Sequence, residues 1–185
     1  MKILKWVGIV LLTLIVLGFL GFNFVLKPMT KKASPEDTIA YVKGDLNIDV
    51  FYCQPSKKGR DIFGGLVPYG QVWRTGANEA TTFETNKDLL VGGKELPAGK
   101  YTIFTIPNEN EWEVIFNNKM YSWGVAGFNG ESPRKPEYDE AIVKVPVNRL
   151  GDVVEMFTMK IEDGENPELT MSWDQTQVNV PIQIK

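Results

Sequence analysis

The chain has 185 residues, with 20 Lys and Arg against 23 Asp and Glu, one Cys and no His. A single Cys excludes an intramolecular disulfide, and the lack of His excludes Ser-His-Asp and Cys-His catalysis, His-based zinc sites and proton shuttling near neutral pH. Setting aside Lys2, Lys5, Lys27, Lys31 and Lys32 leaves 15 basic against 23 acidic residues from position 33 onward, a net charge of −8, the wrong sign for gripping nucleic-acid phosphates.

Residues 6–26 are 21 consecutive positions without a charge, flanked by Lys2 and Lys5 before and Lys27, Lys31 and Lys32 after. At about 1.5 Å per residue, such a stretch spans a hydrocarbon core of roughly 30 Å. A cleavable signal peptide has a shorter apolar core and a small-x-small cleavage pair. Gly18 and Gly21 have no small partner at the required spacing, so an uncleaved signal anchor is expected. The positive-inside rule is nearly balanced by the flanking lysines. A compact domain behind an N-terminal apolar segment nevertheless favours an N-in, C-out protein. In a bacterium that means a single pass through the inner membrane and a periplasmic domain.

Residues 27–38 (KPMTKKASPEDT) read as a linker, leaving 39–185 as the domain. The length suffices for one core of its own. From there the pattern is one of short strands. Residues 46–53 alternate with period two, and 81–85 and 89–91 follow, the latter ended by Gly92-Gly93. The clearest hairpin is 100–106 (KYTIFTI), the turn 107–110 (PNEN) and 112–116 (WEVIF). Alternation resumes at 141–147, at 153–161 with Val153, Glu155, Phe157, Met159 and Ile161 on one face, and at 169–173 and 177–184. Beyond the anchor no helical periodicity is sustained. The expected fold is an all-β antiparallel sandwich or jelly-roll-like domain preceded by one transmembrane helix, with a partly closed barrel as the alternative. Cys53 lies in an alternating run and reads as a small buried hydrophobe.

One segment departs from the alternation. Residues 59–82, GRDIFGGLVPYGQVWRTGANEATT, are broken by five glycines and carry Arg60, Tyr69, Trp73, Arg74, Asn78 and Glu79. Long Gly-rich connections in β folds are where binding groups tend to sit. A planar cation, an amide and a carboxylate around Gly76 suit a sugar or a carboxylate, with Trp73 as an apolar wall. A structural reading competes: Arg74 pairs with Glu79 or Asp61 to lock the loop, and Trp73 and Phe63 plug it. Tyr121, Trp123, Phe128 and Tyr138 flank a second Gly-rich loop, a weaker candidate for stacking on a sugar. Asp163, Glu165 and Asn166 lack the spacing of a calcium loop, and Glu109, Glu111 and Glu113 read as a solvated strand face. The basic group Lys57, Lys58 and Arg60, followed at once by Asp61, reads as a solvated turn.

With the motifs GRDIFGGLVPYG (59–70), VWRTGANEAT (72–81), LPAGKYTIFTIP (96–107) and Trp123-Gly124, the chain resembles a bacterial envelope family catalogued as domain of unknown function 2911, over roughly residues 45–185. The resemblance implies an exported β-rich domain and supplies no activity. The combined expectation is a membrane-tethered module that binds a polar envelope ligand such as a glycan or peptide. The binding candidates are Arg60, Tyr69, Trp73, Arg74, Asn78, Glu79 and Trp123, with no cofactor, metal or nucleic acid expected. The alternative is a carboxylate-dependent hydrolase with Glu79 or Asp61 as acid or base and Arg74 as charge stabiliser.

Overall fold

Residues 2–33 form one helical run made of α1 (Lys2–Gly21), a π-helical turn (Phe22–Leu26) and α2 (Lys27–Ala33). The π turn has a cause in the sequence. Pro28 has no N–H to give to the Phe24 carbonyl and its ring collides with that carbonyl in a regular helix. The widened turn, closed by the Lys27 N–H on the Phe22 carbonyl, absorbs the misfit. Thr13 and Asn23, the polar side chains of the apolar stretch, donate to the carbonyls of Ile9 and Phe19 one turn back, both at 2.9 Å. The run is long and apolar enough to cross a membrane, a property that N-terminal signal sequences share. The segment expected as a linker is thus helical through Ala33, and the first strand already begins at Glu36.

The computed structural model describes residues 2–126 and 130–185, with side chains from residue 5 onward. Helix 1–33 and the remainder, 34–185, are separate compact units. The second unit is one antiparallel sheet of nine strands in the order β1-β2-β3-β6-β7-β8-β9-β4-β5. In chain order these are β1 (Glu36–Lys43), β2 (Leu46–Cys53), β3 (Thr82–Thr85), β4 (Leu89–Val91), β5 (Lys94–Leu96), β6 (Gly99–Ile106), β7 (Glu111–Asn117), β8 (Asp139–Glu162) and β9 (Glu168–Ile184).

The sheet encloses its core by using two long strands twice. The first part of β8 pairs with β7 up to Pro146, and the rest pairs with β9 from Val147 onward. The two stretches expected as separate strands at 141–147 and 153–161 are therefore one element, and so are 169–173 and 177–184. Asp174, at φ +56°, explains the sequence break in β9. It is a bulge that resets the alternation, so Leu169, Met171 and Trp173 face the core before it and Val178, Val180 and Ile182 after it. The expected face of the 153–161 stretch is corrected too: Val153 is 53% exposed, and core contact, made earlier in β8 by Ala141, Val143 and Val145, resumes only at Phe157.

The core takes Leu46, Ile48, Val50 and Tyr52 from β2, Trp112, Val114 and Phe116 from β7, and the inward residues of β8 and β9. It includes an aromatic cluster in which the half-buried Trp73 and Phe63 pack against buried rings. Trp73 stacks on Trp173 at 5.9 Å and 17°, with Phe157 at 5.0 Å, while Phe63 sits 4.7 Å from Trp112. The Trp112 Nε1 is a buried donor without an acceptor among the described residues. Opposite the core, Arg134 forms a forked, largely buried ion pair with Asp139, which also accepts from the Asn117 amide at 2.8 Å. This ties the chain at Arg134 to the start of β8 and the end of β7.

Candidate functional site

The 73–81 segment starts as a strand and then leaves the sheet. The Trp73 N–H and carbonyl pair with Thr105 of β6 at 2.7 and 3.0 Å, occupying the place beside β6 that the short β3 leaves open. Strand alternation then turns Trp73 inward and Arg74 outward. Beyond it the backbone is forced into left-handed conformations at Thr75 (φ +55°), Gly76 (φ +137°) and Asn78 (φ +55°). For a β-branched residue such as Thr75 this is strained by about 1–3 kcal/mol. The strain is held by the Thr81 hydroxyl, which donates to the Thr75 carbonyl at 2.6 Å, and by a 3.1 Å bond between the Thr75 and Thr105 hydroxyls. Gly76 lies directly on β2: a Cβ there would stand 2.9 Å from the Cys53 carbonyl oxygen.

Cys53 is the residue this loop covers. The core side chains of β2 are even-numbered, so Cys53 faces the other way, and it is fully buried outside the main core cluster. Its thiol donates to Glu79 Oε2 at 3.7 Å. Glu36 is its cross-strand partner, since β1 and β2 pair Glu36 with Cys53. The Cys53 sulfur and one oxygen each from Glu36 and Glu79 all lie within 4.8 Å of one another. Burial first, then the charges of Glu79 and Glu36, push the Cys53 thiol up to about 11, so it stays protonated at neutral pH in the metal-free protein.

Arg74 borders this cluster. Its stem is packed so closely on Gly124 that a Cβ there would stand 2.4 Å from the Arg74 Cδ. Its Nε donates to the Gly76 carbonyl at 3.2 Å. Among the described residues neither Nη group meets a protein acceptor, and no carboxylate pairs with it. The lock expected between Arg74 and Glu79 or Asp61 is absent among the described residues. Burial pulls the guanidinium below its ordinary value, the Cys53 sulfur pulling the other way, and it remains a cation at neutral pH.

Four of the expected residues come together here. Arg74, Asn78 and Glu79 share the loop, and the Gly124 N–H bonds the Asn78 carbonyl at 2.9 Å, docking the Trp123-Gly124 turn onto it. Asn78 is 8% exposed and gives its amide to the Ser34 carbonyl at 3.3 Å. The others are placed elsewhere. Trp73 is half-buried and packs its ring against the core on Trp173 and Phe157, so it is no wall of this site. Arg60 folds back on the carbonyls of Ser56 and Lys57, and the Tyr69 ring lies over Gly64. Tyr121 packs on Phe104, and Lys119 lies over the rings of Tyr121 and Tyr138. Phe128 lies outside the described residues. Asp163 accepts from the Tyr41 hydroxyl at 2.7 Å and from Lys43. Glu111 and Glu113 both pair with Lys144 across the outer strand face. A groove of about 220 Å³ on β8 and β9, lined by Thr158, Lys160, Glu162 and Ser172 among others, involves none of the 59–82 segment.

Sequence reasoning missed Cys53 and Glu36 as members of the cluster. The parity of Cys53 against Leu46, Ile48, Val50 and Tyr52 was an available signal that it faces away from the core. Nothing in the sequence announced β1 or its register.

The geometry defines a class: an antiparallel β domain behind an apolar N-terminal helix, with a strained Gly-rich loop closing over one outward thiol. The chain belongs to the family described as protein of unknown function (DUF2911), whose model matches residues 34–182. Neither the curated proteins nor the solved structures contain a match.

Proposed function

We propose that the domain is a membrane-tethered binding module, held by its N-terminal helix on the periplasmic side of a bacterial inner membrane. Its ligand is a polar envelope component, a glycan or peptide, that presents an anionic group to Arg74. One observation carries this reading: the guanidinium is half-buried and held by its stem and Nε, yet both Nη groups lack a protein acceptor among the described residues. A fork-shaped cation fixed in this way is ready to receive a carboxylate or phosphate by two parallel hydrogen bonds. Tethering keeps such a module in a thin layer and raises its effective concentration there. For the hydrolase alternative no comparable observation exists. Cys53 and Glu36 converge on Glu79, whereas Asp61 is exposed and its carbonyl closes a local turn onto Leu66.

The test uses the full chain in detergent, titrated with acidic envelope glycan fragments and acidic peptides by calorimetry and ligand-observed NMR. Wild type is expected to bind one of these classes, and Arg74→Ala to weaken it by about 2 kcal/mol, the scale of a lost charge-assisted pair. Equal binding by Arg74→Ala and wild type overturns the reading.

A further inference from the structure

We propose that Glu36, Cys53 and Glu79 form a binding site for a thiophilic divalent cation of the zinc class. Three donor atoms from three separate segments converge there: the start of β1, the end of β2 and the 74–79 loop. They lie within 4.8 Å of one another, and the Cys53–Glu79 pair is already at 3.7 Å. Metal–sulfur and metal–oxygen bonds of about 2.3 and 2.0–2.2 Å imply donor separations of roughly 3.5 Å. Glu36 is exposed and Glu79 half-buried, and side-chain rotation supplies the remaining contraction as each carboxylate exchanges an existing contact for the metal, while the sheet register fixes the Glu36 and Cys53 backbones. The sulfur selects the metal. Mg²⁺ and Ca²⁺ take oxygen donors, whereas a thiolate with two carboxylates suits Zn²⁺ or Cd²⁺.

A second observation concerns charge. A thiolate and two carboxylates around a divalent ion leave a net charge of −1. The neighbouring group is the Arg74 guanidinium, which acts on Cys53 electrostatically and has no carboxylate of its own among the described residues. It is placed to balance the loaded site. On binding, the Cys53 S–H bond breaks, its proton passes to solvent, and the sulfur electron pair forms the metal–sulfur bond. Three protein ligands leave a fourth position for water or for an anionic group. This inference does not depend on the ligand proposed for Arg74.

The chain has one Cys and no His, so a thiolate-to-metal absorption band can come only from Cys53. Full-length, metal-stripped protein in detergent is titrated with Cd²⁺ as the probe, and Zn²⁺ is then used to displace it. The expected result is an ultraviolet charge-transfer band that saturates at one Cd²⁺ per chain, is removed by Zn²⁺, and is missing in Cys53→Ser. Glu36→Gln and Glu79→Gln are each expected to weaken Cd²⁺ by at least about tenfold. These two variants carry the test if Cys53→Ser does not fold. No band at millimolar Cd²⁺, or unchanged affinity in either glutamine variant, overturns the site.

Discussion

Trp73 and Arg74 are adjacent in the chain and belong to different worlds. Trp73 is stacked among Trp173, Trp112, Phe157 and Phe63 inside the folded sheet. Arg74, one residue later, lies outside with a single backbone acceptor for its Nε. The same division separates Tyr52, whose ring is in the core, from Cys53, which lies under the loop. On the inner side stability comes from close packing of large rings. On the outer side the loop accepts backbone strain and leaves a cation without a carboxylate, both of which cost stability in a region built only for it. The WRTGANE motif therefore spans both faces, its first residue anchoring the loop and the rest shaping the outer site.

The sharpest way to break this comparison is to truncate each neighbour in turn. Trp73→Ala removes a ring packed on three sides and is expected to lower unfolding free energy by about 3–5 kcal/mol. Arg74→Ala, which loses one neutral acceptor and some stem packing, is expected to cost about 1 kcal/mol. Urea unfolding of the full chain in detergent measures both. A loss of about 3 kcal/mol or more for Arg74→Ala would make it a structural clamp and remove the basis of the binding reading.

A smaller effect tests how Arg74 is held. Gly124→Ala places a methyl 2.4 Å from the Arg74 Cδ, and overpacking of this kind costs about 1–3 kcal/mol. In the Arg74→Ala background part of that cost is expected to vanish, because the Cδ and Cγ are gone while the Cβ, 2.9 Å from the added methyl, remains. A double-mutant cycle reads the coupling, and additive losses would mean that Gly124 is needed for its own backbone rather than for Arg74.

The smallest effect is read through pH. Burial first, with the Asp37 carboxylate adding to it, pushes the Tyr52 phenol up to about 12, from an ordinary 10.0. The folded state therefore prefers the neutral phenol, and the stability tied to it is complete below pH 10 and lost as pH rises through about 12. Tyr52→Phe is expected to flatten the alkaline limb of a stability–pH profile, at the cost of the hydroxyl bonds to Asp37 at 2.9 Å and to the Met159 carbonyl at 3.2 Å. An alkaline limb unchanged by Tyr52→Phe would place the titrating group elsewhere.

By itself the sequence determined the parts governed by local chemistry. The run without charge at 6–26 dictates a membrane-length helix, because helix length follows directly from residue count. Period-two alternation together with β-branched and aromatic composition located seven of the nine strands among the described residues in whole or part, and the Pro-Asn-Glu-Asn turn marked the β6–β7 hairpin. The break in the 59–82 alternation marked the site segment. Tertiary structure alone decided the rest. β1 has no strong apolar alternation and exists because β2 offers it a full edge to pair with. The long strands β8 and β9 read as four short ones for two reasons: the bulge at Asp174 flips the inward face of β9, and the middle of β8, residues 148–156, buries no side chain although it stays in the sheet. Above all, Glu36, Cys53 and Glu79 are far apart in the chain, and only the register of β1 on β2 and the left-handed turn at Gly76 bring their donor atoms together. Register and loop closure depend on pairings between distant residues, and no local pattern encodes them.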